Sequence, residues 1–282
     1  MCSLDHSYRA GNGRSGVMLV HSLNGSPTEL RFIANGLARE GYKVYCPQLA
    51  GHGGKAADLG ISTWQDWYAS AEAALNEMHA ECDTVMVGGL STGAVLAMLL
   101  AANHPEKVAG LTLYSPTLWL NGRSIPWYAR MFPIVPTKRL AKLFSFPAPA
   151  NFGIKDDRLR EFIKSALMAS GGCGQVVTPG SAVIEWRWLV NTTRAALHKV
   201  TQPVLIMHPR EDDYAALNNA TYLESTLSGP VELVILDDSY HLVTVDRQRG
   251  LVLDRTAAFA RTVFGKFRHR IQGATSLTAV AA

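Results

Sequence analysis

The stretch VMVGGLSTGAVLAML, residues 85–99, places Ser91 in a run whose only other polar residue is Thr92. TVMVGG (84–89) reads as a buried strand and STGAVLAMLLAANH (91–104) as a helix apolar nearly all round, so Ser91 falls on the sharp turn between them. Gly89-Leu90-Ser91-Thr92-Gly93 is a G-x-S-x-G pattern. A nucleophile on such a turn sits in strained backbone geometry, and its neighbours must be small for strand and helix to approach. The pattern alone also fits a small residue filling a tight turn. Its strand–turn–helix setting selects the nucleophile.

Working outward, GVMLVHS (16–22), YKVYCP (42–47), VAGLTLYS (108–115), PVLIMHP (203–209) and VELVILDD (231–238) read as further strands buried on both faces. Helical patterns lie between and after them at 27–40, 62–81, 216–228 and 247–267. Alternating strand and helix implies an α/β fold: a mostly parallel sheet of about six strands, flanked by helices and joined by right-handed crossovers. Residues 118–200 break the rhythm with IPWYARMFPIVP, FSFPAPANF and SGGCG, then the helical SAVIEWRWLVNTTRAALHKV (181–200). They are expected to form a helical lid inserted between two parts of the core, 17–117 and 201–267. A flexible segment (1–16) and a frayed tail (268–282) are expected at the ends.

Composition narrows the function. A chain of 282 residues, 48% hydrophobic, can bury a large core. The net charge of +4 and pI near 8.9 come from scattered Lys and Arg. The one basic cluster, KFRHR (266–270), lacks the aromatic platform of a nucleic-acid site, so no nucleic acid is expected as partner. Cys2, Cys46, Cys82 and Cys173 have no metal-ligand spacing and suit free thiols in a reducing compartment. The start of the chain lacks a secretory pattern, and no apolar run reaches the roughly 18 residues of a membrane helix. The expectation is a cytoplasmic protein without integral membrane association, metal or cofactor. GNGRSG (11–16) matches a dinucleotide fingerprint by letter, but polar residues precede it and a strand follows, so it reads as a flexible loop.

A serine hydroxyl needs a base, and the base an orienting acid. Both are expected past later strands. His241 stands just beyond VELVILDD, and the acidic run Glu211, Asp212, Asp213 follows PVLIMHP, with Asp212 29 positions before His241. Ser91, Asp212, His241 is the chain order of a nucleophile-elbow hydrolase. One N–H for the tetrahedral oxyanion should come from the residue after the nucleophile, Thr92.

VMLVHSLNGSP, GLSTG, VLIMHPREDD and SYHLVTVD together resemble the α/β-hydrolase superfamily, specifically the small lid-bearing carboxylesterases and monoacylglycerol-lipase-like lysophospholipases. The resemblance covers residues 17 to about 265 and is weak across the insertion. It implies the acid four positions beyond His208, which favours Asp212 over Asp213 or Glu211. It also implies the second oxyanion amide at Leu23, from His21-Ser22-Leu23 aligned with the family's HG followed by a hydrophobic residue. Ser22 replaces the usual glycine, so the loop is either reshaped or gains a donor.

Other polar residues have structural explanations: His21 and His208 tying loops, His52 in a turn, Asp246 as a helix N-cap, Asp237 and Asp238 closing a strand. Trp64, Trp67, Ala71, Ala74 and Met78 recur at helical spacing as core. In the insertion, Trp119, Trp127, Phe132, Phe144, Phe146, Trp186 and Trp188 are expected in part to pack the lid and in part to wall an apolar site. The resulting expectation is a cofactor-independent serine hydrolase of small-molecule carboxylic esters with an apolar acyl or alcohol group. A thioesterase or amidase with the same triad is the nearest alternative. A ligand-binding receptor on a hydrolase scaffold is the alternative of another class.

Overall fold

A computed structural model describes residues 5–125, 132, 135, 137–169 and 177–280. Its sheet has seven strands rather than six: β1 (Tyr8–Ala10), β2 (Ser15–Val20), β3 (Lys43–Cys46), β4 (Thr84–Leu90), β5 (Val108–Tyr114), and two later ones, β8 (Val204–Pro209) and β9 (Val231–Leu236). The order is β1-β3-β2-β4-β5-β8-β9, parallel throughout except β1, which pairs antiparallel with β3. Part of the segment expected to be flexible is therefore an edge strand. Three residues give no readable periodicity, but Arg9 packs over Tyr45 and pairs with Glu77 at 2.7 Å, which holds the strand on the sheet edge.

The central strands β2 and β4 are buried along their whole length, as uninterrupted apolar runs require. β9, expected buried on both faces, is an edge strand with partly exposed residues, because no strand covers its outer side. On one face α3 (Trp64–Glu81) and α4 (Thr92–Asn103) pack against the sheet, with Trp67, Ala71, Ala74 and Met78 in the core and Trp64 at its margin. On the other lie α1 (Arg31–Arg39) and α9 (Arg249–Val280). α9 continues through residues expected to fray, since no proline interrupts it and each further residue adds a helical hydrogen bond. A short helix not expected from the sequence, α2 (Ala56–Ile61), precedes α3.

Within residues 118–200 the described elements are α5 (Lys138–Ala141), α6 (Asp157–Ala169), α7 (Gly180–Ala196) and an antiparallel pair, β6 (Ser145–Pro147) with β7 (Val177–Pro179). That strand pair was not legible among prolines and glycines. The one buried acid of α7, Glu185, accepts the Trp64 N–H at 3.0 Å and pairs with Lys138 at 2.7 Å, joining α7 to α3 and α5. Gly122 N–H donates to Tyr214 O at 2.8 Å, and Leu242 N–H to Gly153 O at 2.8 Å. These bonds tie the segment to the loops after β8 and β9, at the carboxyl end of the sheet. The last helix before β9, α8 (Asn218–Thr226), completes the core.

Candidate active site

The turn at Ser91 has the strain its sequence requires. Ser91 adopts φ 57°, ψ −111°, a left-handed region that a side chain rarely occupies, while its N–H donates to Tyr114 O at 2.9 Å. The two glycines of the motif are steric necessities. A Cβ on Gly89 would lie 2.2 Å from the Gly93 carbonyl carbon, and one on Gly93 would lie 2.0 Å from Val20 O and 2.7 Å from His21 O. The head of α4 thus abuts the backbone leading to Leu23, which brings the Thr92 and Leu23 segments together. Thr92 is the first residue of α4, where helical N–H groups have no carbonyl a turn earlier to donate to.

His241 and Asp212 meet as expected. His241 Nδ1 lies 3.0 and 2.9 Å from the two Asp212 oxygens, and Asp212 Oδ1 also accepts from Tyr214 N and Ala215 N, each at 2.9 Å. Both residues are buried. Burial disfavours the carboxylate, but His241, His208 and the backbone donor outweigh it, and the Asp212 pKa lies below the ordinary aspartate value. Burial likewise disfavours a charged His241, yet Asp212, Asp213 and Glu29 outweigh it and raise its pKa above the ordinary histidine value. Nδ1 therefore carries the proton shared with Asp212 and leaves Nε2 as the basic nitrogen.

Asp213 takes a different place. Its Oδ1 accepts the His241 N–H at 3.2 Å, and its pKa is raised by burial and by the adjacent Asp212 charge. Glu211 is exposed and pairs with Lys155 at 3.0 Å. The Tyr214 ring stacks on the His241 imidazole, centroids 4.8 Å apart and planes 22° apart.

Sequence reading missed the residues that connect Ser91 to this pair. Ser91 Oγ contacts Thr117 Oγ1 at 3.1 Å, Thr117 Oγ1 donates to Ser115 O at 3.0 Å, and Ser115 Oγ donates to His241 O at 2.7 Å. Ser115 is itself held at φ 44° just beyond β5. Three hydroxyls in YSPT (114–117) at the carboxyl end of a buried strand were the available signal. Asp246 also differs from expectation: instead of capping a helix, its carboxylate accepts from Lys155 N, Asp156 N and Tyr240 N at 2.9, 3.0 and 2.7 Å, locking the His241 loop to the insertion.

The other histidines singled out in the sequence serve loops. His21 Nδ1 donates to Ser22 O at 2.8 Å and Nε2 accepts from Leu49 N at 3.2 Å. His208 Nε2 donates to Ala215 O at 2.8 Å, and His52 Nδ1 donates to Ala50 O at 3.0 Å. Asp237 pairs with Arg210, and Asp238 with Lys155 and Arg247. Cys46 and Cys82 are buried free thiols; Cys2 and Cys173 lie outside the described residues.

A cavity of about 390 Å³ starts at Leu118, the residue after Thr117, and is walled by Trp119, Phe132, Trp186 and Val190 with Arg187 and Arg194 among its polar lining. Phe144 and Phe146 pack edge-on against Phe132, Trp188 is exposed, and Trp127 lies outside the described residues. Among the described residues no group of His, Cys, Asp and Glu could hold a metal, and no helix is long and apolar enough to cross a membrane.

Comparison with known proteins agrees with this architecture. The chain is 29% identical over 255 residues to a thermostable monoacylglycerol lipase of Bacillus sp. (strain H-257), covering 89% of this chain and 92% of that one. It is 30% identical over 215 residues to a pimeloyl-[acyl-carrier protein] methyl ester esterase of Aromatoleum aromaticum, covering 71% and 81% of the two chains. A structure of the metagenome-derived lipolytic enzymes LipS and LipT superposes with TM-score 0.78 at 29% identity, covering 91% of this chain and 97% of that one. Residues 11–248 match the family described as Hydrolase_4, serine aminopeptidase S33. With the elbow serine, the parallel sheet and that match over most of its length, the chain belongs to the serine aminopeptidase S33 family of α/β-hydrolases.

Proposed function

We propose that this protein is a serine hydrolase of small-molecule carboxylic esters, with Ser91 as nucleophile, His241 as general base and then acid, and Asp212 as the group that orients the imidazole. The observation that carries the reading is the strained Ser91 at the head of α4 together with His241 held on Asp212. Ser91 Oγ attacks the ester carbonyl as its proton passes to His241 Nε2, and the carbonyl electron pair moves onto oxygen, facing the Leu23 and Thr92 amides. Collapse of that intermediate expels the alcohol, which takes the proton from His241. Water then repeats the sequence on the acyl-enzyme and releases the acid.

The mostly apolar cavity walled by Leu118, Trp119, Phe132, Trp186 and Val190 suits an uncharged acyl chain or an apolar alcohol, in keeping with the lipase and esterase names of the relatives. Buried free thiols at Cys46 and Cys82 support a reducing, cytoplasmic setting. The test is a panel of p-nitrophenyl and glyceryl esters beside acyl-CoA thioesters, run on wild type and Ser91→Ala. Oxoester turnover that falls by about 10⁶ in the variant is expected. Preference for the thioesters would favour a thioesterase, and retention of a tenth of the activity in Ser91→Ala would refute the mechanism.

A further inference from the structure

Ser22, which stands where the family resemblance leads one to expect glycine, is not a spare donor for the substrate. Its N–H donates to Glu29 Oε2 at 3.1 Å and its hydroxyl to Glu29 Oε1 at 3.0 Å. Both Ser22 protons are directed at one half-buried carboxylate on the single-turn 3-10 helix Pro27–Leu30. The approach requires a glycine at position 25, because a Cβ there would sit 2.1 Å from the carboxylate. Gly25 N–H closes the turn on Ser22 O at 3.2 Å, and His21 Nδ1 donates to the same oxygen. Burial and nearby His52 hold the His21 pKa down to about 3, so this bond survives across the neutral range. The bonds that fix the loop use Ser22 and Gly25 and not the Leu23 amide.

Glu29 raises the His241 pKa; burial raises that of Glu29 itself, while Ser22 and the His241 charge lower it. The titratable groups in contact with His241 are Asp212 at Nδ1, Asp213 at the main-chain N–H, and the stacked Tyr214 ring. His208 lies 3.5 Å from Asp212, and burial lowers its pKa.

We propose that Glu29 is a positioning residue of this site: it clamps Ser22 so that the loop presents the Leu23 amide, and it joins Asp212 and Asp213 in stabilising the imidazolium formed when His241 takes the Ser91 proton. The proposal rests on the serine-hydrolase reading. It adds a third carboxylate, reached from the loop after β2, to the two that follow β8.

Two variants separate the clamp from the charge. Glu29→Gln keeps the size and one acceptor but loses the charge; Ser22→Ala loses one clamp bond and keeps the charge. The rate of Ser91 phosphonylation by a fluorophosphonate is measured against pH, and the His241 imidazole is titrated by NMR. In Glu29→Gln the acid limb and the imidazole titration should both move to lower pH, with a plateau rate lower by about tenfold, the scale of a small misplacement of a reacting group. Ser22→Ala should lower the plateau without moving the limb downward. A folded Glu29→Gln with an unmoved limb and titration overturns the electrostatic role, and unchanged plateaus in both variants overturn the clamp. If wild type is not labelled at Ser91, the hydrolase reading fails, while the imidazole titration still decides whether Glu29 acts on His241.

Discussion

The Ser91 hydroxyl donates to Thr117. The Ser115 carbonyl can only accept, so Thr117 gives its own proton there at 3.0 Å, and in the 3.1 Å contact with Ser91 it must be the acceptor. Ser91 Oγ is thus hydrogen-bonded to a neighbour on the loop after β5, and in the proposed mechanism its proton must leave Thr117 before it can pass to the imidazole.

Thr117→Val keeps the shape and removes that competing acceptor. An ordinary hydrogen bond has a net worth of about 1 kcal/mol, so phosphonylation of Ser91 should speed up by roughly fivefold. The buried Ser115 carbonyl loses its donor, and the melting temperature should drop. A hundredfold loss of labelling would show that Thr117 supports the reaction instead of competing with it.

The acidic run offers a second measurement. Asp212 holds the imidazole itself, Asp213 accepts from the His241 main chain and from Ser124 Oγ, and exposed Glu211 pairs with Lys155. On one short-chain ester, kcat/KM should fall by about 10⁴ in Asp212→Asn, the scale for losing the correct histidine tautomer. Asp213→Asn should cost far less, and Glu211→Gln should be nearly silent. A larger loss from Asp213→Asn would move the acid by one residue.

A third prediction concerns the elbow. In Gly93→Ala the new Cβ would fall 2.0 Å from the backbone oxygen of Val20, which no side-chain rotation can relieve. The cost should be at least the 1–3 kcal/mol typical of overpacking, visible in thermal unfolding. Gly265→Ala is the control: nothing lies within 4 Å of its Cβ in helix α9, and the substitution should stabilise by about 0.5–1 kcal/mol.

Ser91 and His241 were legible because each follows an apolar strand whose end is visible in the sequence; the same signal left Glu211, Asp212 and Asp213 open, and the family resemblance favoured Asp212. Thr92 followed from its place after Ser91. Residues acting through a turn of the chain gave no comparable signal. Glu29 lies on a 3-10 turn seven positions beyond Ser22, and only the folded loop shows that both donors of Ser22 converge on it. The same holds for β1 and the β6–β7 pair, whose three-residue strands are too short to show an alternating pattern. Asp246 shows the limit from the other side: its position before a helix suggested a cap, but two amides from a distant segment, Lys155 and Asp156, and one from its own loop, Tyr240, claimed the carboxylate.

Activity and stability should respond to pH in opposite directions around neutrality. The proposed mechanism needs neutral His241, and its raised pKa then places the acid limb of kcat/KM above the ordinary histidine value of 6.5. Stability has the reverse sign, because a group whose folded pKa exceeds its unfolded one binds protons more tightly when folded. The contribution of protonated His241 is complete below the unfolded histidine value and is lost as pH rises through the raised folded one. Asp212, depressed by the same pairing, contributes above the ordinary aspartate value and loses its contribution as pH falls through its own lowered pKa. The two titrations belong to one buried pair and should be read as coupled. Unfolding free energy from urea titrations between pH 6 and 9 should therefore decline over the interval in which kcat/KM climbs. His241→Gln should remove the decline associated with this pair, while Glu29→Gln, by lowering the His241 value, should shift both curves toward acid together. Stability that rises with activity through that interval, and does so equally in His241→Gln, would show that the imidazole and Asp212 are not linked as their 2.9 Å contact requires.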